Sequence, residues 1–303
     1  VDISDCQDTH ITAYLEYRSA NSSPRTVYRL AAELSNWRSW IASRGGVLAA
    51  TQLNAEQYIA KLTVAPMSKW NIIYTLRGLY KWMKRHKYIE DNPWLEVYGP
   101  RKPLRQVRVL TPQEICLVGS TFDHDSVRGQ RDQAFFLFLR DTGCRISEAM
   151  GVNTADIHLC QAEDETGEAV VLGKNDKERT VFFGWETSQS IETWLTTGRP
   201  HWIKSRSGPV FLGYHGAKLS RSTAHQIIVR LEHQAGLARH IHAHLLRHTF
   251  ATSMLQGGCN LYALKQLLGH ASLKSTEIYL HLVTDDLKES YRHASNHHEY
   301  HAE

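Results

Sequence analysis

Apolar residues recur at helical spacing over the first hundred positions and switch to strand-like alternation further along. Ser23-Pro24 reads as an N-cap followed by proline at the first helical position. Leu30, Leu34, Trp37 and Ile41 follow at steps of four, three and four, which puts them on one helix face. Gly45-Gly46 is expected to end that helix. Another helix carries Ile73, Leu76, Tyr80 and Met83 and is predicted to stop near Asn92-Pro93; a shorter one spans Thr9 to Ser19. These elements predict a small helical bundle over residues 1–100. Thr111-Pro112-Gln113-Glu114 has the capping-box arrangement and reads as the first helix of a second domain. Asp132 to Arg140 is dense in apolar residues and predicts a buried helix. The period then falls to two. Residues 169–172 and 179–183 flank the turn GKNDKE, which predicts a β-hairpin, and helices return from residue 220. The expected fold class is mainly α: an N-terminal helical bundle, then an α-rich domain over 111–303 with a small antiparallel hairpin.

Composition narrows the class. The chain has 303 residues, room for about two domains. It is 42% apolar and 22% charged, enough to build packed cores rather than a disordered chain. The longest apolar run in the expected core is Ala134 to Leu139, far short of the ~20 residues a membrane span needs. The polar, acidic start VDISDCQDTH does not read as a signal peptide. Five widely spaced cysteines without a CxxC pair argue against a disulfide framework or a cysteine zinc site, so a reducing, cytoplasmic setting is expected.

Charge location says more than the net +4. Residues 1–100 hold 12 basic and 9 acidic residues. The segment RKPLRQVRVL at 101–110 holds four basic residues and no acidic ones, while 111–303 holds 19 basic and 22 acidic. The basic excess therefore lies in the first third and in one short stretch. That stretch follows Gly99-Pro100 and reads as a linker, either a solvated connector or a strap along a phosphate backbone.

Four stretches of the second domain carry candidate chemistry. In Asp141-Thr142-Gly143-Cys144-Arg145-Ile146-Ser147-Glu148, Gly143 allows a tight turn and Glu148 shares a helix face with Arg145. A surface ion pair is the plainer account of those two alone. In His244-Leu245-Leu246-Arg247-His248, His244 and Arg247 project together from a helix. The histidines at 240, 242, 244 and 248 raise the question of zinc. Leu245 stands where a zincin has its glutamate, so no metal is expected. Leu267-Leu268-Gly269-His270 reads as a helix end with Gly269 past its last turn; Ser272 is then expected to cap a helix presenting Tyr279, a residue that alone would read as core. Lys174 sits in the hairpin turn, where a solvated lysine is ordinary.

Taken in order, Arg145, Lys174, His244, Arg247, His270 and Tyr279 resemble the catalytic set of the tyrosine recombinases, the phage-integrase family that includes Xer-type and transposon enzymes. TGCRISE, GKNDKER, HLLRH and LLGH carry the resemblance across nearly the whole second domain. Two features depart from it. Asn175 replaces a frequent glycine, and Tyr291-Arg292-His293-Ala294 lacks a terminal proline. The acidic QAEDETGE looks like an inserted loop. The resemblance implies a SAM-like core-binding bundle before the catalytic domain. It also implies attack of a tyrosine hydroxyl on a phosphodiester, giving a 3′-phosphotyrosyl link and a free 5′-OH, without ATP, metal or other cofactor. By the same resemblance, Arg145 and Arg247 hold the non-bridging oxygens and His244 assists proton transfer at Tyr279. Lys174 then protonates the leaving oxygen and His270 bonds the phosphate.

The family's clamp on DNA nominates Arg25, Arg29, Lys69, Arg77, Arg101, Lys102, Ser220, Arg221 and His225 as contacts. It implies double-stranded DNA with inverted-repeat sites as partner and a dimer on one site. It further implies a tetramer in the synaptic complex, docked through residues 284–296, and accessory directionality proteins. Integration or excision of a mobile element and dimer resolution both stay open. A catalytically inactive architectural DNA binder, a type IB topoisomerase and a metal-dependent hydrolase are the rival readings.

Overall fold

The computed structural model describes residues 8–101, 108–173, 177–203, 205–270 and 272–282. The chain forms two compact units, Val1–Arg105 and Gln106–Glu303. The division falls within the basic 101–110 stretch. Leu110 already belongs to the second core, where it is buried and donates its N–H to Thr249 Oγ1 at 2.9 Å.

In the first unit, α1 (Thr9–Ser19) starts at Asp8, whose carboxylate accepts from the backbone N–H groups of His10 and Ile11. Helix α2 (Pro24–Ile41) starts at Ser23 and buries Leu30, Leu34, Trp37 and Ile41, the residues its period marks. A short 3-10 turn follows, and Gly45 at φ 97° ends it. Helix α3 (Gln52–Lys61) has no counterpart in the sequence reading; it buries only Ala55, Tyr58 and Ile59, too few for a clear period. Helix α4 (Pro66–Arg85) buries Ile73, Leu76, Tyr80 and Met83. It ends well before Asn92-Pro93. Lys87 takes a left-handed φ of 60°, its N–H bonds to Lys84 O, and the Tyr88 N–H bonds to Met83 O. This is a Schellman termination, made without glycine. The chain then turns back to bury Trp94 beside Trp37, ring centroids 5.0 Å apart. Trp37 Nε1 donates to the Tyr80 hydroxyl at 2.9 Å, which donates to Val47 O at 2.8 Å, whereas the buried Trp94 Nε1 has no hydrogen-bond partner.

The second unit is built round α6 (Val127–Thr142), which is buried on nearly all sides through Phe135, Phe136, Leu137, Phe138 and Leu139. Its two buried charges, Arg131 and Asp132, pair with each other, and Asp132 also pairs with Arg230. Helix α5 (Pro112–Gly119) opens with the expected Thr111–Glu114 capping box. A short helix α7 (Ile146–Ala149) follows α6. The hairpin is β2 (Gly167–Leu172) against β3 (Glu178–Phe183), with Val171 opposite Arg179. A two-residue strand β1 (Ile157–His158), absent from the sequence reading, adds to the β2 edge in the order β1-β2-β3, all antiparallel. Helices α8 (Trp185–Thr193), α9 (Arg221–Gln234), α10 (Ala243–Gln256) and α11 (Leu261–Leu268) complete the unit. The segment after α11 is not the α-helix expected beyond Ser272. It is two 3-10 turns, Leu273–Ser275 and Glu277–Leu282. Among the described residues no helix is long and apolar enough to cross a membrane.

Candidate active site

Helix α6 stops at Gly143, whose φ of 56° and closeness to Phe250 leave no room for a Cβ; one built there would stand 2.3 Å from the ring. The chain then swings into α7 with Arg145 at its N-cap. Glu148, one turn on, is 2% exposed. Its Oε1 accepts from Arg145 Nη1 at 2.7 Å, and its Oε2 accepts from the Arg145 backbone N–H at 2.7 Å and from Arg179 Nη2 at 2.7 Å. Burial alone would raise this carboxyl, but the bonds from Arg179 and Arg145 hold it below the usual range. The Arg145–Glu148 pair thus joins a buried carboxylate, shared with Arg179, to a guanidinium that is 37% exposed.

Arg247 leaves α10 into the same region. Its Nη1 donates to Gly143 O at 2.8 Å and its Nη2 to Leu268 O at 2.6 Å. Burial first, and then Arg145, push its pKa down to about 10, so it stays charged at neutral pH. Arg145, Arg247 and His244 line one cavity of about 360 Å³. Arg221, His225 and His242 line it too, so two of the nominated DNA contacts face the candidate catalytic arginines. Burial, then Arg247, Arg145 and Arg221, lower the His244 pKa and favour its neutral form. A larger cavity of about 580 Å³, apolar and lined by Ile115, Val181, Phe250 and Met254 among others, holds none of the five candidate catalytic residues that are described. The smaller, cation-lined cavity is the one suited to a phosphodiester.

Helix α11 ends at Gly269 with φ 64°, as its sequence implies. His270 follows, its Nδ1 2.9 Å from Thr276 Oγ1. Burial, then Arg247, Arg145 and Arg179, push its pKa down to about 4, so the ring is neutral at neutral pH. Tyr279 is 1% exposed, packed in a small cluster with Ala251, Leu255, Leu264 and Leu268. Burial raises its pKa, and the positive charge of Arg247 opposes that rise.

The phenol's partner differs from the expected one. Its oxygen lies 2.8 Å from His248 Nδ1, not beside His244. Burial and the neighbouring His244 and His242 lower the His248 pKa, so a neutral ring meets the phenol, with the donor set by which ring nitrogen carries the proton. His244 and His248 are one turn apart on α10 with Arg247 between them. His244 faces the cavity and His248 faces the phenol.

Lys174 lies outside the described residues, as do Lys102 and the 284–296 tail. Arg25 and Arg101 are exposed. Arg29 bonds Glu33 at 2.7 Å, and Lys69 donates to Ile59 O at 2.9 Å. Ser220 caps α9 through the Thr223 N–H. Arg77 turns inward: its Nε donates to Trp94 O at 3.0 Å and its Nη2 to Val97 O at 2.7 Å. It fastens the Trp94 loop to α4, which leaves little of its guanidinium for a phosphate. Among the described residues no three His, Cys, Asp or Glu side chains converge as a metal-ligand set. His240 instead pairs with Glu232 at 2.8 Å.

Arg179 and His248 were not singled out from the sequence. Arg179 did leave a signal there. Alternation along β3 puts it on the same face as the buried Val181 and Phe183, and a charge on a core-facing position demands a partner.

Residues 108–285 match the phage integrase family. A tyrosine recombinase XerC of Oceanobacillus iheyensis is 32% identical over 294 residues, covering 94% of this chain and 95% of its own. A tyrosine recombinase XerD of Neisseria meningitidis serogroup A is 31% identical over 271 residues, 88% of each chain. The fold is similar to that of the XerH site-specific recombinase bound to its difH substrate in a pre-cleavage complex. The TM-score is 0.71 at 20% identity, over 93% of this chain and 94% of that one.

Proposed function

The chain belongs to the phage integrase family, and from that membership we infer that it is a site-specific DNA recombinase that cuts and rejoins DNA strands. In this reading a scissile phosphate sits in the cation-lined cavity. Arg145 and Arg247 grip its non-bridging oxygens as charge grows on them, and the neutral His270 adds a hydrogen bond. The Tyr279 hydroxyl gives its proton to a neighbouring histidine as its oxygen attacks phosphorus, the bond to the 5′-oxygen breaks, and Lys174 gives that oxygen its proton. A second 5′-OH reverses the step on the phosphotyrosyl link. Bond energy is held in the covalent intermediate, so resealing needs no nucleotide. The observation that carries the reading is the convergence of Arg145, His244 and Arg247 on one cavity, with a phenol bonded to His248, the residue next to Arg247.

Two protomers on an inverted-repeat site and four in the assembled complex extend this reading, with residues 284–296 as the linking segment. The near-complete burial of Tyr279 favours the rival in which the chain only binds DNA, because the phenol must leave its cluster before it can meet a phosphate. One experiment separates them. Sites are selected from random duplex DNA, and nicked versions are incubated with the protein in EDTA. The recombinase reading expects a denaturant-resistant protein–DNA adduct, and none with Tyr279→Phe at equal binding. Neither adduct nor cleavage from either form supports the binding-only reading, and cleavage without an adduct that EDTA abolishes supports the metal-dependent hydrolase. Joining of strands from two duplexes separates a recombinase from a topoisomerase.

A further inference from the structure

We infer that Arg179 is a positioning residue for the phosphate grip, setting Arg145 through Glu148 and His270 through the end of α11; the inference rests on the recombinase reading above. Arg179 stands on the core-facing side of β3, opposite Val171, with its side chain 13% exposed. A guanidinium at such a position is tolerated only when its charge and donors are matched. It has two matches among the described residues: one leads to Arg145 in the cavity wall and the other to His270.

The first is Glu148. Its Oε2 takes the Arg179 fork and the Arg145 backbone N–H, and its Oε1 takes Arg145 Nη1. Arg145 is therefore held by one side-chain nitrogen only. Among the described residues the rest of its fork makes no protein hydrogen bond, and the side chain is 37% exposed, where a phosphate can meet it. Without Arg179, Oε2 would recover a lone pair and the buried carboxylate would lose half its countercharge. A guanidinium bonds a carboxylate best through two nitrogens. Arg145 would then rotate its free nitrogen onto Glu148 and turn its phosphate-binding edge out of the cavity.

The second match is helix α11. Arg179 Nε donates to Leu267 O at 3.0 Å, and Arg247 donates to the next carbonyl, Leu268 O. These are terminal carbonyls that the helix itself leaves unbonded. Gly269 passes directly over the guanidinium; a Cβ there would stand 3.0 Å from Arg179 Cδ and Nη1. His270 is the next residue. One side chain on the hairpin thus sets two members of the grip that lie 125 positions apart, without touching the cavity itself.

The test uses the full chain and nicked duplexes of a selected site, one with the ordinary 5′-bridging oxygen and one with sulfur in its place. A thiolate leaves without being protonated, so the sulfur duplex removes the need for the hairpin lysine. Arg179→Ala is expected to bind DNA as the wild type does and to form adduct about 10²-fold more slowly, the scale of a misplaced reacting group. The deficit is expected on both duplexes, and Arg179→Lys is expected to fall between. The distinguishing readout is Arg179→Ala combined with Glu148→Gln. Removing the carboxylate charge removes the pull on Arg145, so the double variant is expected to be faster than Arg179→Ala alone. Arg179→Lys carries the same comparison if the alanine variant does not fold. Wild-type rates in Arg179→Ala, full recovery on sulfur, or a double variant no faster than the single would each overturn the assignment. Absence of adduct from the wild type would instead remove the recombinase reading.

Discussion

Replacing either cavity arginine by alanine is expected to silence cleavage to a similar degree, yet to affect the fold very differently. In the proposed reaction each guanidinium is a charged donor aimed at oxygens that gain charge. Losing one such donor costs about 2.7–4 kcal/mol of barrier, or about 10²–10³-fold in rate. Arg145 gives the fold little beyond that. Its single side-chain bond goes to Glu148, which keeps Arg179 and a backbone N–H, and at 37% exposure the pair is worth about 1 kcal/mol or less. Arg247 ties Gly143 O to Leu268 O, and both bonds are buried. Hydrogen bonds to a charged group are worth about 1.5–3 kcal/mol each, so its removal costs about 3–6 kcal/mol. At about 2–4 °C per kcal/mol for a unit of this size, Arg247→Ala is expected to lower the melting point by about 6 °C at the least. Arg145→Ala is expected to lower it by about 4 °C at the most. Scanning calorimetry of the two variants beside the adduct assay measures both quantities. Equal losses of melting temperature would show that the carbonyl bonds of Arg247 contribute nothing to the fold, and the division of roles drawn here would fail.

The remaining predictions concern pH and salt. His270 has a folded-state pKa of about 4 against an ordinary 6.5, so the unfolded chain takes up that proton first as pH falls. The stability this residue contributes is whole above pH 6.5 and is lost as pH drops toward 4. Denaturant midpoints at pH 7.5 and 5 should therefore fall less in His270→Asn than in the wild type, and an equal fall would contradict the assignment. Arg221→Ala should weaken DNA binding and reduce the slope of log affinity against log salt by about 1, because Arg221 is exposed and faces the cavity. Arg77→Ala should leave that slope unchanged and lower the melting point of the first unit, since its guanidinium serves the Trp94 loop.

The elements readable from sequence were those whose signal is local. Leu30, Leu34, Trp37 and Ile41 repeat over three turns of one face, and Thr111–Glu114 closes within four residues. Helix α3 buries three residues in ten, and β1 has two residues, so neither offers a period to detect. The end of α4 was misplaced because a lysine, not a glycine, adopts the left-handed turn. Within the site, Arg145–Glu148 was legible because the partners are three apart. The Arg179 contacts reach across 31 and 88 positions, and His248 meets Tyr279 across 31. Only the folded chain brings those together. Proximity in sequence to Arg247 does not tell which of His244 and His248 faces the phenol; the rotation of α10 decides that.

The unequal structural employment of the site's residues has a consequence for how such a protein decays. The Tyr279 ring fills a small cluster, and its hydroxyl contributes one bond to His248. A single-base change from tyrosine to phenylalanine codons therefore keeps the packing and, on the recombinase reading, leaves a folded, inert chain. Loss of Arg247 removes chemistry and tertiary structure together. Silenced copies of this gene that still make protein should accumulate substitutions at the phenol far more often than at the guanidinium that braces two helix ends.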